Sequence, residues 1–113
     1  MRVIVCGGRD YDDDRMAGRV IETLFAGSGW TMVTGGAPGA DRLAEASAHY
    51  CGLTVEVHPA EWDRYGRGAG PIRNRRMLEL GADLVLAFPG GRGTAHMVET
   101  AREADVPVLE VAS

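Results

Sequence analysis

Apolar residues along the chain fall into short continuous runs, and between the runs the apolar positions recur at helical spacing. Val3-Ile4-Val5-Cys6 is apolar without interruption and ends in Gly7-Gly8. A run of that kind predicts a strand buried on both faces. From Arg15 to Ala26, Met16, Val20, Ile21, Leu24 and Phe25 form one apolar helical face, which Gly27 and Gly29 terminate. Trp30 to Thr34 reads as the second strand and runs into Gly35-Gly36-Ala37-Pro38-Gly39. Ala40 to Tyr50 reads as an alanine-rich helix, with Leu43, Ala44, Ala48 and Cys51 on one side and Gly52 as its stop.

Thr54 to His58 alternates and predicts a third strand. Pro59 to Ile72 has no clean period and predicts one long loop, part of it able to form a short helical turn. Arg73 to Leu80 reads as a helix closed by Gly81. Asp83 to Phe88 is the fourth predicted strand, followed by Pro89-Gly90-Gly91-Arg92-Gly93. Thr94 to Ala104 is the last predicted helix and Val106 to Val111 the last strand. Buried strands alternating with helices imply an α/β fold: one doubly wound parallel sheet of about five strands, order 3-2-1-4-5, with helices on both faces. A single domain over residues 1–113 accommodates it.

Composition removes several classes. The hydrophobic fraction is 45% and the charged fraction 25%, which excludes disorder and a disulfide-rich mini-protein. No apolar run approaches the roughly 20 residues of a membrane helix, and MRVIVCGG is too short for a secretory h-region. The expected setting is cytoplasmic, with Cys6 and Cys51 as buried free thiols. The formal net charge of −4 disfavours nucleic acid as a partner. All twelve basic residues are arginine, which fits either codon bias or bidentate anion contacts at single positions.

Glycine is the abnormal count, 16 of 113, about twice the usual share. Three strands end in a glycine-rich turn that leads towards a helix. In open α/β sheets ligands bind outside the carboxyl ends of the strands. A glycine turn admits a ligand close to the backbone, and the helix start that follows attracts anions. No turn matches the Walker A loop or the G-x-G-x-x-G dinucleotide fingerprint. Single turns of this kind are also needed for geometry alone; three in register point to an anionic, nucleotide-like ligand.

Polar residues cluster around these turns. Arg9, Asp10 and Tyr11 follow Gly7-Gly8; Asp41 follows Ala40 and is either a cap or a ligand contact; Thr94 is a candidate cap. Arg73, Asn74, Arg75 and Arg76 open the expected fourth helix, where arginines oppose the macrodipole. They meet either an anionic ligand or the carboxylates of Glu61 and Glu79. Trp62 and Tyr65 form a stacking wall for a base or ribose, with the long loop as a lid, or else Trp62 packs on the core edge. His49, His58 and His96 lack ligand spacing, so no metal site is expected and no cofactor is called for.

Pro89-Gly90-Gly91-Arg92-Gly93-Thr94 resembles the PGGxGT motif of the LOG phosphoribohydrolases, the lysine decarboxylase-like proteins that cleave the N-glycosidic bond of cytokinin nucleoside monophosphates. Arg73-Asn74-Arg75-Arg76-Met77 is similar to their RKxxM segment and to the RNR stretch of the DNA-processing protein A family. Taken with GGRDY, TGGAPGAD, AGPIRN and the Trp62–Tyr65 loop, the whole chain resembles the YspA-type SLOG proteins. The resemblance implies a Rossmann-like domain, a nucleotide-derived ligand and pairing into a homo-oligomer, in the first place a dimer. It implies a ligand site formed by Gly7, Gly8, Arg9, Asp10, Tyr11, Gly35, Gly36, Ala37, Gly39, Ala40, Asp41, Trp62, Arg73, Asn74, Pro89, Gly90, Gly91, Gly93 and Thr94.

In the LOG enzymes an arginine and a glutamate perform the chemistry. Arg73 matches the arginine by its spacing to Met77, but the glutamate position, eight residues after the proline, holds Met97. Glu99 lies two residues on, about 200° around a helix, and stands as the displaced carboxylate, with Asp10 and Asp41 as substitutes. Three expectations follow. The first is binding of a nucleotide or nucleotide-derived molecule. The second is an N-glycosidase using Arg73 and Glu99 on a nucleoside monophosphate or an ADP-ribose-type substrate. The third is a nucleic-acid-associated module.

Overall fold

The computed structural model describes residues 1–112. Five strands, β1 (Arg2–Cys6), β2 (Thr31–Thr34), β3 (Thr54–Val57), β4 (Leu84–Ala87) and β5 (Val108–Glu110), form one sheet in the order β3-β2-β1-β4-β5. Every pairing is parallel, with Val3 opposite Met32 and Ile4 opposite Val85. The expected doubly wound α/β fold and its strand order are both present. β1 is central because both of its faces are apolar. Val3 and Val5 are buried against α1 (Asp14–Phe25) and α2 (Ala40–Tyr50) through Ile21, Phe25 and Ala44. Ile4 faces the other way and packs with Met77 and Met97.

Asp13 caps α1 by accepting from the Met16 N–H at 3.0 Å, which starts this helix one residue earlier than the pattern suggested. The larger departure lies after β3. The stretch expected to be a long loop folds into a short helix α3 (Trp62–Tyr65), a 3-10 turn (Gly66–Gly68) and the first turn of α4, which spans Ala69–Glu79. Pro71 read as a loop residue, yet it sits in the first turn of α4, where a missing N–H costs nothing. Arg73 to Arg76 therefore lie inside the helix rather than at its start, and the macrodipole conflict expected for them does not arise.

The last helix, α5 (Arg92–Glu103), begins two residues before the expected start. Gly91 is its N-cap and Thr94 falls within the first turn, so Thr94 does not cap it. Cys6 and Cys51 are free, as expected, but half-buried rather than buried. Burial pushes the Cys6 thiol up to about 12, so it stays protonated and unreactive at neutral pH. Across the bottom of the sheet Arg2 joins β1 to β3. Its guanidinium donates to both carboxylate oxygens of Glu56, at 3.1 and 2.5 Å, and its Nε donates to the Gly81 carbonyl. The Arg2 hydrogen bond, followed by one from His58, holds the Glu56 carboxyl down at about 2.

Candidate functional site

The three glycine turns meet at the carboxyl end of the sheet, with the β1 turn between the other two. The Gly8 N–H donates to the Pro89 carbonyl at 2.9 Å, and the Gly8 carbonyl accepts from the Ala40 N–H at 3.1 Å. A Cβ on Gly7 would stand 2.5 Å from that of Ala40 and 2.8 Å from that of Phe88. One on Gly90 would stand 2.6 Å from the Gly8 nitrogen. Gly39 has φ +82°, and a side chain there would run into the Gly8 and Arg9 carbonyls. These glycines are required because the turns touch one another. Tyr11 packs on Phe88 with ring centroids 5.2 Å apart, while Arg9 and Asp10 are exposed.

The β2–α2 turn is closed from within. Asp41 is buried, and its Oδ2 accepts from the Gly35 N–H at 3.1 Å and the Ala37 N–H at 3.2 Å. Its carboxylate is therefore turned back into its own loop. Burial pushes the Asp41 carboxyl up to about 6, against the opposing pull of those N–H groups and of Arg73. The Arg73 guanidinium lies over the same loop. Its Nη1 donates to the Gly35 carbonyl at 3.1 Å and to the His58 carbonyl at 3.4 Å, and its Nε to Asn74 Oδ1 at 3.0 Å. Gly35 has no room for a side chain beneath that guanidinium. Burial lowers the Arg73 pKa, with nearby Asp41 opposing the shift.

Asn74 links this loop to α5. It is buried, and its Nδ2 donates to the Gly93 carbonyl at 3.3 Å and meets His96 Nδ1 at 3.2 Å. An amide NH2 only donates, so His96 Nδ1 accepts and the ring proton belongs on Nε2. That nitrogen stands 3.5 Å from Thr100 Oγ1, whose own hydrogen goes to the His96 carbonyl at 2.7 Å.

The start of α5 is open. Gly91 forms no side-chain cap, and among the described residues nothing lies within 4 Å of the Cβ positions of Gly91 or Gly93. A cavity of about 880 Å³ adjoins it, with Pro89, Gly90, Gly91 and Thr94 at one end. Phe88, Val98 and Val111 contribute apolar wall, and Glu99, Glu103 and Glu110 line the remainder. Arg102 in this wall is paired with Glu110 at 3.2 Å. Arg73 and Glu99 are not brought together: Glu99 lines this cavity, while Arg73 lines a smaller one beside β3. Met97, at the glutamate position of the LOG pattern, is fully buried against Ile4 and Val85. Trp62 is half exposed on α3 and borders neither cavity.

The sequence reading missed Arg102, Glu103 and Glu110 in the large cavity, and His96 and Thr100 beneath the β4–α5 turn. A signal existed for part of this: Ala95, Glu99 and Glu103 are four apart, so they share one face of α5. The partnership of Asn74 with His96 joins two helices and leaves no local trace.

An open parallel sheet with glycine turns meeting at its carboxyl end defines a Rossmann-type fold. The chain belongs to the YspA, cpYpsA-related SLOG family (YAcAr), whose model matches residues 1–65. It is 37% identical to the Gene 61 protein of Mycobacterium phage D29, over 96% of this chain and 94% of that protein. Among solved structures it is similar to TM1055, with a TM-score of 0.71 and 20% identity over 95% of this chain and 71% of the other. It is also similar to the molybdenum cofactor binding protein from Rippkaea orientalis, with a TM-score of 0.73 and 21% identity over 96% and 74%. At those identities the structural likeness establishes the fold.

Proposed function

We propose that this protein binds a nucleotide or nucleotide-derived small molecule, with the phosphate at the start of α5 and the remainder in the adjoining cavity. One observation carries this reading. Among the described residues the α5 start has no side-chain cap and is unobstructed at Gly91 and Gly93, and it opens into a cavity of about 880 Å³. Ligand sites typically span about 300–1,000 Å³, and a helix N-terminus favours an anion. The solved relative described as a molybdenum cofactor binding protein supports a ligand-binding role for this fold. Gly7, Gly8, Gly39 and Gly90 hold the turns together rather than contact the ligand, and Asp41 holds its own loop.

The test is a thermal-shift panel of AMP, GMP, ADP-ribose, NAD, cyclic nucleotides and ribose 5-phosphate. A ligand at 100 times its Kd adds about 2.7 kcal/mol, a rise of roughly 10 °C for a domain of this size. A rise confined to one nucleotide class is the expected result, and a flat panel would overturn the reading.

A further inference from the structure

The two edges of the sheet carry opposite charge. β3 is one edge and β5 the other. Beside β3, residues 61–76 hold five arginines against two carboxylates, a net charge of +3. Beside β5, residues 99–110 hold four carboxylates against one arginine, a net charge of −3. In the first segment Arg73 is turned in over Gly35, and Arg64, Arg67, Arg75 and Arg76 are exposed. Val57, Glu61, Tyr65 and Arg76 line the smaller cavity, so α3 and α4 form one flank with the end of β3. In the second segment Glu99 and Glu103 on α5 and Glu110 on β5 share a wall of the large cavity, so they too form one flank.

Neither flank neutralises itself. Among the described residues the ion pairs there are Arg64 with Glu61 at 3.9 Å and Arg102 with Glu110 at 3.2 Å. Arg67, Arg75 and Arg76 on one flank, and Glu99 and Glu103 on the other, are in no ion pair among the described residues. Each flank also shows apolar surface. Val57 and Trp62 are exposed on the first, with the Trp62 ring lying against Gly70 of α4, and Leu109 is exposed on the second. A lone surface ion pair contributes little. Several complementary charges around an apolar contact can steer and hold a partner.

We propose that these flanks bind each other in successive copies of the chain, the α3–α4 flank of one copy on the α5–β5 flank of the next. One chain supplies both halves of the complementarity. Its formal net charge of −4 disfavours a polyanion as the occupant of the basic flank. A two-fold pairing that set either flank on itself would bring like charges together. The contact is therefore head-to-tail. Because the flanks lie at opposite edges of the sheet, each contact leaves one flank of either kind unused, and association continues to rings or open chains.

The test is sedimentation velocity on the full chain without nucleotide, over a range of concentrations. It is run at about 0.01 M and about 1 M salt, between which the screening length falls from about 30 Å to about 3 Å. Wild type should form species larger than a dimer as concentration rises at low salt, and should be monomeric at high salt. Arg67→Glu/Arg76→Glu and Glu99→Arg/Glu103→Arg should each stay monomeric where wild type associates, a weakening of about ten-fold or more. All four positions are exposed, so the fold is retained. Mixed in equal amounts, the two variants should associate again, because each reversed flank then meets its complement. A folding defect would not be repaired by mixing. Arg15→Glu/Arg19→Glu, at exposed positions of α1, has the same net charge as Arg67→Glu/Arg76→Glu and should associate like wild type.

A wild type that stays monomeric at both salt concentrations overturns the proposal, and a single-stranded oligonucleotide bound by that monomer reassigns the basic flank to nucleic acid. A closed dimer that persists at high salt also overturns it. So does association of Arg67→Glu/Arg76→Glu like wild type, its loss in Arg15→Glu/Arg19→Glu, or a mixture that stays monomeric. No nucleotide is present, so these outcomes leave the reading of the α5 site untouched.

Discussion

Two turns in this molecule look alike in sequence and differ in what surrounds them. Gly35-Gly36-Ala37-Pro38-Gly39 and Gly90-Gly91-Arg92-Gly93 each follow an apolar strand and lead into a helix. In the first, the Ala40 N–H at the helix start donates to Gly8, Asp41 satisfies the Gly35 and Ala37 N–H groups, and Arg73 covers Gly35. In the second, Gly90 touches the β1 turn, but Gly91 and Gly93 face open space beside the large cavity. Glycine thus serves close packing in one turn and access in the other. Only the surroundings distinguish the two uses.

Substitution separates them. Gly39→Ala places a Cβ on the Gly8 and Arg9 carbonyls at a positive φ. We expect a loss of about 3 kcal/mol, read as a fall in the denaturant midpoint. The bridge between the two turns ranks next. Asn74→Ala removes contacts to Arg73, Gly93 and His96, and should cost about 2 kcal/mol by chemical denaturation, because buried partners are left unpaired. Normal stability in that variant would mean that the two turns are independent.

The closed turn has a pH signature. The Asp41 carboxyl is raised in the native state, from its ordinary 3.8 to about 6. The native state therefore holds the proton more tightly than the unfolded chain. This contribution to stability is fully present below 3.8 and is lost as pH rises through about 6. Asp41→Asn keeps an acceptor for both N–H groups and should remove that part of the pH dependence. An unchanged slope between the two pH limits in the variant would mean that Asp41 is not the group responsible. Glu56 acts in the opposite direction at lower pH: held down at about 2, it supports the fold above its ordinary value of 4.5 and ceases to as pH falls.

The order of strands and helices was legible because burial on both faces of a parallel sheet writes continuous apolar runs into the chain. Val3 to Val5 and Leu84 to Ala87 show this directly. The start of α4 was not legible, because Gly70 and Pro71 carry loop statistics while occupying a first helical turn that tolerates both. The gathering of the glycine turns at one end of the sheet followed from the α/β alternation. The division of Arg73 from Glu99 did not, since it depends on which side of α4 and α5 each side chain leaves. Asn74 illustrates the same limit: one amide joins Arg73, Gly93 and His96 across two helices.

The smallest stability effect tests the central claim most directly. Gly93→Asp fills open space in the first turn of α5. It should raise stability by about 0.5–1 kcal/mol, through helix propensity and the macrodipole. The same carboxylate would occupy the place assigned to the phosphate. Calorimetric titration of the nucleotide that gives the largest thermal shift, into wild type and Gly93→Asp side by side, is the decisive measurement. The expected result is a more stable protein with affinity reduced about ten-fold or more, the effect of like charges competing for one anion site. Equal affinity in the two proteins would contradict it and place the ligand elsewhere on the molecule.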